Sequence, residues 1–108
     1  MKVNLVSSDP LALCRLLELS TFPVVIGRGE VATVRIDDRW LSRAHCELRC
    51  ENDVLVVRDL GSKHGTFVNG QRISEARLES GDVLAIALCH FVATMEANVP
   101  DSAVAVLA

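Results

Sequence analysis

Punctuation constrains this chain most: short apolar and β-branched runs recur along it, each closed by turn-forming residues. Val3 to Ser7, Pro23 to Ile26, Thr33 to Ile36, Ala44 to Cys50, Val54 to Asp59, Val83 to Ala87 and Phe91 to Met95 read as strands. Between them, Gly27-Arg28-Gly29, Glu51-Asn52-Asp53, Gly61 to Gly65, Asn69-Gly70 and Ser80-Gly81-Asp82 supply residues that tolerate positive φ. Many short strands at close spacing predict an all-β sandwich or barrel. From Ala44 to Cys50 the alternation is clean, with Ala44, Cys46, Leu48 and Cys50 on a buried face and His45, Glu47 and Arg49 on a wet or functional one. Val54 to Val57 is apolar on both faces and marks a strand in the middle of the structure.

Asp9-Pro10 followed by Leu11, Leu13, Leu16 and Leu17 fits an N-capped helix as well as a strand. At the other end, Asn98 to Ala108 is apolar without a partner pattern and reads as a tail, a linker or an extra strand. A length of 108 residues suits one compact domain. With 50% of residues apolar but only 4% aromatic, its core must be aliphatic.

The formal net charge of −3 argues against nucleic-acid binding, which depends on a surplus of Lys and Arg. Cys14, Cys46, Cys50 and Cys89 form no C-x-x-C pair and make no metal-ligand spacing with the histidines, so no metal or cofactor is expected. They read as free thiols packed as small hydrophobes. No apolar run approaches the ~18–20 residues that span a bilayer. These features together place the chain in a reducing cytoplasm.

Three segments carry chemistry: Gly27-Arg28, then Ser42-Arg43-Ala44-His45, then Asp59-Leu60-Gly61-Ser62-Lys63-His64-Gly65-Thr66-Phe67-Val68-Asn69-Gly70. A phosphorylated side chain brings a charge near −2 and strong acceptor oxygens. Its reader needs a forked cation, hydroxyl donors and free N–H groups converging on one point. Arg28 just past a strand, and Ser42 just before one, supply the fork and the hydroxyl, with the Ser42 N–H as a second donor.

In order and separation these segments resemble the forkhead-associated (FHA) domain, over roughly residues 2 to 97. The resemblance implies a two-sheet antiparallel β-sandwich gripping a phosphothreonine peptide in loops at one end, and it turns the ambiguous Leu11 to Leu19 stretch into a strand. It implies Arg28, Ser42, Arg43, Lys63 and His64 as peptide-binding residues, and His45, Gly27, Gly65, Thr66 and Asn69 as residues that brace or shape the loops. Asn69-Gly70 reads as a tight hairpin turn. Where the family pattern commonly reads S-T-N-G-T, this chain has Ser62-Lys63-His64-Gly65-Thr66. His64 thus replaces an asparagine that bonds the peptide backbone, and Lys63 adds a cation. Arg28, Arg39, Arg43 and Lys63 are nearly balanced by Glu30, Asp37 and Asp38, so the cations must be aimed. Trp40 reads as packing under its loop, with contact to the peptide as the alternative.

The implied function is a signalling adaptor that reads a Ser/Thr-kinase mark on a partner protein, and the enzyme readings fail on context. Gly27 to Ala32 satisfies G-x-G-x-x-A, but a strand-like Thr33-Val34-Arg35-Ile36 follows where a dinucleotide site needs a helix. Ser42, His45 and Asp59 lack the strained elbow that exposes a catalytic serine. The alternative is a phosphate-independent assembly module on the same sandwich.

Overall fold

The computed structural model describes residues 1–12 and 14–96. The expected tail, residues 98–108, lies outside the described residues. The strands are β1 (Lys2–Val6), β2 (Leu16–Leu19), β3 (Val24–Gly27), β4 (Val34–Arg35), β5 (Cys46–Glu51), β6 (Val54–Asp59), β7 (Thr66–Val68), β8 (Gln71–Ile73), β9 (Glu75–Leu78), β10 (Val83–Ile86) and β11 (Cys89–Glu96). They form a six-stranded sheet in the order β2-β1-β11-β10-β7-β8 and a five-stranded sheet in the order β4-β3-β5-β6-β9. Pairing is antiparallel except between β3 and the two-residue β4, which run parallel.

Alternation along each strand sends one face inward. Val3, Leu5, Leu84, Ile86, Phe91 and Ala93 of the first sheet meet Val24, Ile26, Cys46, Leu48, Leu55 and Val57 of the second, all buried in a single cluster. Full burial of each large aliphatic side chain contributes about 1.5–3 kcal/mol, so the sandwich rests on Leu, Ile and Val, with Phe91 the one fully buried Phe or Trp among the described residues. Strand β6 lies between β5 and β9, the interior position its two-faced apolarity predicts.

Three sequence expectations are corrected. Leu11 to Leu19 is strand only over Leu16–Leu19, where Leu16 comes into register with Val6. Before it the Asp9 carboxylate accepts the Leu11 N–H at 2.9 Å and the Asp9 carbonyl accepts the Ala12 N–H at 3.1 Å, a local turn that neither continues as helix nor joins the sheet. Strand β5 starts at Cys46 rather than Ala44, and His45 is fully buried rather than on a wet face. Strands β7, β8 and β9 are additions: β7 and β8 are three residues each, and β9 is a four-residue edge in which only Ala76 and Leu78 turn inward between exposed Glu75 and Arg77, too short an alternation to stand out.

Candidate functional site

Four connections meet at one end of the sandwich: residues 28–33, residues 36–45, residues 60–65, and the Ala87-Leu88 turn between β10 and β11. Backbone hydrogen bonds fuse the first two. Arg28 N–H donates to Ser42 O at 2.9 Å and Gly29 N–H to Arg43 O at 3.0 Å. Gly27 permits this approach, since a Cβ there would lie 2.2 Å from Arg43 O. Leu41, 1% exposed, plugs the second connection into the core, which makes its carbonyl a rigid acceptor. That carbonyl takes Arg28 Nε at 3.1 Å, so the guanidinium is held by its inner nitrogen and keeps both Nη groups for something else.

His45 joins the second connection to the third. Its Nδ1 accepts the Ser42 N–H at 3.2 Å and its Nε2 lies 2.8 Å from Gly65 O. Because Nδ1 is an acceptor, the ring is the neutral tautomer with the proton on Nε2, donating to Gly65. The Ser42 N–H is therefore occupied, which corrects its expected role as a free donor. The Ser42 hydroxyl remains: its oxygen accepts the Lys63 N–H at 3.0 Å, and its proton is left to donate.

Asp59, at the end of β6, organises the third connection. Its carboxylate accepts the Gly61 and Ser62 N–H groups, both at 3.1 Å, and the hydroxyls of Ser62 and Thr66 at 2.5 and 2.8 Å. Ser62 Oγ in turn accepts the Gly65 N–H at 3.0 Å. Burial alone would raise the Asp59 pKa, but the hydrogen bonds from Ser62, Thr66 and Gly61 outweigh it and hold the carboxyl below its ordinary value. Thr66 is fully buried, and Gly65 takes a φ of 87° with a Cβ position 3.0 Å from Arg72 Nε.

Arg28, Arg39, Trp40, Leu41, Ser42, Lys63 and His64 line one open cleft between these connections, with no carboxylate among them. The near balance of charge in the sequence is thus not a balance in space. Asp38 is turned away, one oxygen accepting the Trp40 N–H at 2.9 Å and the other the Cys89 thiol at 3.4 Å. Among the described residues the ion pairs are all made by Arg49, on the outer face of β5, so the cleft cations are uncommitted. Trp40 corrects another expectation: it is 40% exposed, with the Arg39 guanidinium 4.8 Å above its ring and His64 edge-on at 5.3 Å. The geometry can hold a compact dianion between a guanidinium fork, a hydroxyl donor and an ammonium, beside an aromatic wall.

Residues 24–87 match the sequence model of the FHA domain family. The chain belongs to this family. It is 37% identical over 71 residues to the FHA domain-containing protein FhaA of Mycobacterium tuberculosis, covering 66% of this chain and 14% of FhaA. It is 40% identical over 66 residues to the glycogen accumulation regulator GarA of the same organism, covering 61% of this chain and 41% of GarA. The chain thus spans less than half the length of these relatives. Among solved structures it is similar to one from a structural and functional analysis of phosphothreonine-dependent FHA domain interactions. The TM-score is 0.78 at 32% identity, over 91% of this chain and all of that one (100%). It is also similar to the FHA domain of FhaA in complex with the intracellular domain of another protein. There the TM-score is 0.74 at 33% identity, over 85% of this chain and 99% of that one.

Within this FHA domain the structure gathers Arg28, Ser42, Lys63 and His64 in one cleft. Arg43 stands apart, in an adjoining hollow on the far side of Arg28. Asn69 is elsewhere: it sits beyond β7 from the cleft, where its side chain donates to Asp82 at 3.0 Å and accepts the Val83 N–H at 2.9 Å. It braces the β7–β8 turn, in which Asn69 and Gly70 have φ of 51° and 82°, and not the cleft loops. Asp59 and Ser62 carry no site role in the sequence expectations, although an Asp followed by N–H groups two and three residues on is the signature of a side-chain-closed turn. Nothing in the sequence pattern marks the Trp40–His64 wall.

Proposed function

We propose that this FHA domain is a phosphothreonine-peptide recognition module, a signalling adaptor working in the cytoplasm rather than an enzyme. Its partner is a protein carrying a Ser/Thr-kinase mark, either a kinase or a kinase substrate. The observation that carries this is the carboxylate-free cleft in which the free Nη fork of Arg28, the Ser42 hydroxyl and Lys63 converge. Phosphate and the fork of Arg make paired, charge-assisted hydrogen bonds, each worth about 1.5–3 kcal/mol. The solved relative described as phosphothreonine-dependent supports the same chemistry here. His45 and Asp59 serve this function indirectly, by fixing the Ser42 and Lys63 segments relative to Arg28.

Trp40 is the only tryptophan in the chain and lines the cleft, so its fluorescence reports occupancy directly. Titration with a phosphothreonine peptide library should change that emission saturably, and the unphosphorylated peptides should not. Equal responses to both would replace this reading with a phosphate-independent assembly module.

A further inference from the structure

On the side of Arg28 away from Ser42 lies a second hollow, lined by Arg28, Gly29, Glu30, Val31, Arg35 and Arg43. It is built in the same way as the first. Arg35 Nε donates to Arg28 O at 3.0 Å, so its guanidinium too is pinned by the inner nitrogen with its outer fork free. Gly29 brings the stem of Arg43 close, since a Cβ on Gly29 would lie 2.7 Å from that of Arg43. Three guanidinium groups therefore border one hollow, and none has a carboxylate within 4.0 Å among the described residues. Glu30 is the only acid in the lining and pairs with none of them. Gathering like charges without partners is unfavourable unless an anion is bound there.

Because Arg28 belongs to both hollows, an extended peptide leaving the phosphothreonine cleft over Arg28 places its next residues at the second one, each residue advancing about 3.3 Å. We infer that the Arg28–Arg35–Arg43 hollow is a second anion subsite, which takes a carboxylate or a second phosphate on a residue close to the phosphothreonine. This rests on the phosphothreonine reading above and adds a ligand class to it: acidic-flanked or doubly phosphorylated peptides.

The test is a calorimetric series with a phosphothreonine peptide whose flanks are alanine, and with variants carrying glutamate or a second phosphothreonine at each of three positions on either side. For the wild type, an acidic group at one or more positions should tighten binding about fivefold, the size expected of a favourable exposed ion pair, and a second phosphate by more. That gain should disappear in Arg35→Gln and in Arg43→Gln, each confirmed folded by thermal melting, while in Arg35→Gln affinity for the alanine-flanked peptide changes less than about twofold. Arg77→Gln removes the same charge from strand β9 and should leave the gain intact. Larger gain from phosphate than from glutamate would identify doubly phosphorylated ligands as the better class. The subsite is overturned if no flanking position tightens binding in the wild type, if the gain survives both Arg variants, or if Arg77→Gln abolishes it equally. Failure of the alanine-flanked phosphopeptide to bind better than its unphosphorylated form would instead bring down the underlying reading, and the subsite with it.

Discussion

At the scale of single residues, His45 has both ring nitrogens committed, one to the Ser42 N–H and one to Gly65 O. His45→Ala would leave two polar groups without partners in a buried place, at a cost of about 1–3 kcal/mol each. Melting temperature and phosphopeptide affinity should fall together in this variant; lost affinity at unchanged melting temperature would place the ring in contact with the peptide instead. Ser42→Ala should weaken binding and remove the acceptor of the Lys63 N–H, while the Ser42 backbone bond to His45 survives. If the cleft also receives the threonine methyl, phosphothreonine should bind about fivefold better than phosphoserine, as expected for ~1 kcal/mol of methyl burial. Asp59 gives a prediction in pH. Its folded pKa lies below its unfolded value, so the native state holds fewer protons and stability rises with pH across that interval. Its contribution is complete above the ordinary carboxylate range and is lost as pH falls through the lowered value. Asp59→Asn should therefore cost stability at pH 7 and flatten the acid side of the stability profile, as followed by urea denaturation; parallel profiles for variant and wild type would contradict this.

At the scale of elements, two glycines separate crowding from backbone conformation. Gly70 has φ of 82° with open space around its Cβ position, so Gly70→Ala should cost only the left-handed penalty of about 1–2 kcal/mol. The β7–β8 turn is remote from the cleft, so peptide affinity should not change. Gly27 has no such φ, but its added Cβ would lie 2.2 Å from Arg43 O, so Gly27→Ala must push the Ser42–Arg43 segment away from β3. Greater loss of stability than in Gly70→Ala, together with weakened peptide binding, is expected from melting curves and titrations of the two variants. The same elements mark what was legible in the sequence. Strand β5 carries period-two apolarity because one face is buried, β6 stands out by an unbroken apolar run, and the motif around Asp59 is legible as residue types because its turn needs those donors and acceptors. Edge strands β8 and β9 are only three and four residues long, and the inward Ala76 and Leu78 of β9 make too short an alternation to announce it. His45 defied alternation because the chain reaches β5 only at Cys46, and its burial depends on Gly65, twenty residues away. Trp40 resembled core material by its type, and only the placement of Arg39 and His64 beside it explains a position at the surface.

At the scale of the whole molecule, a chain of net charge −3 gathers Arg28, Arg35, Arg39, Arg43 and Lys63 at one end of a sandwich. Binding of a phosphopeptide should therefore weaken as salt rises, despite the acidic total, because the field that matters is local. The thiols bear on the sandwich and not on the cleft. Burial, aided by the charge of Asp59, pushes Cys46 up to about 12, and burial with the Asp38 hydrogen bond does the same for Cys89. Both should resist alkylation at pH 8 in the folded protein and react once it is unfolded, a difference that mass spectrometry resolves. The central claim concerns Arg28, whose Nε is spent on Leu41 and whose outer fork faces a cleft without carboxylates. Calorimetric titration of one phosphothreonine peptide into wild type and Arg28→Ala tests it most directly, with matched circular dichroism to establish that both are folded. The expected result is phosphate-dependent binding by the wild type and a loss of at least about tenfold in the variant, equivalent to one charge-assisted hydrogen bond. Unchanged affinity in a folded Arg28→Ala protein would contradict the account.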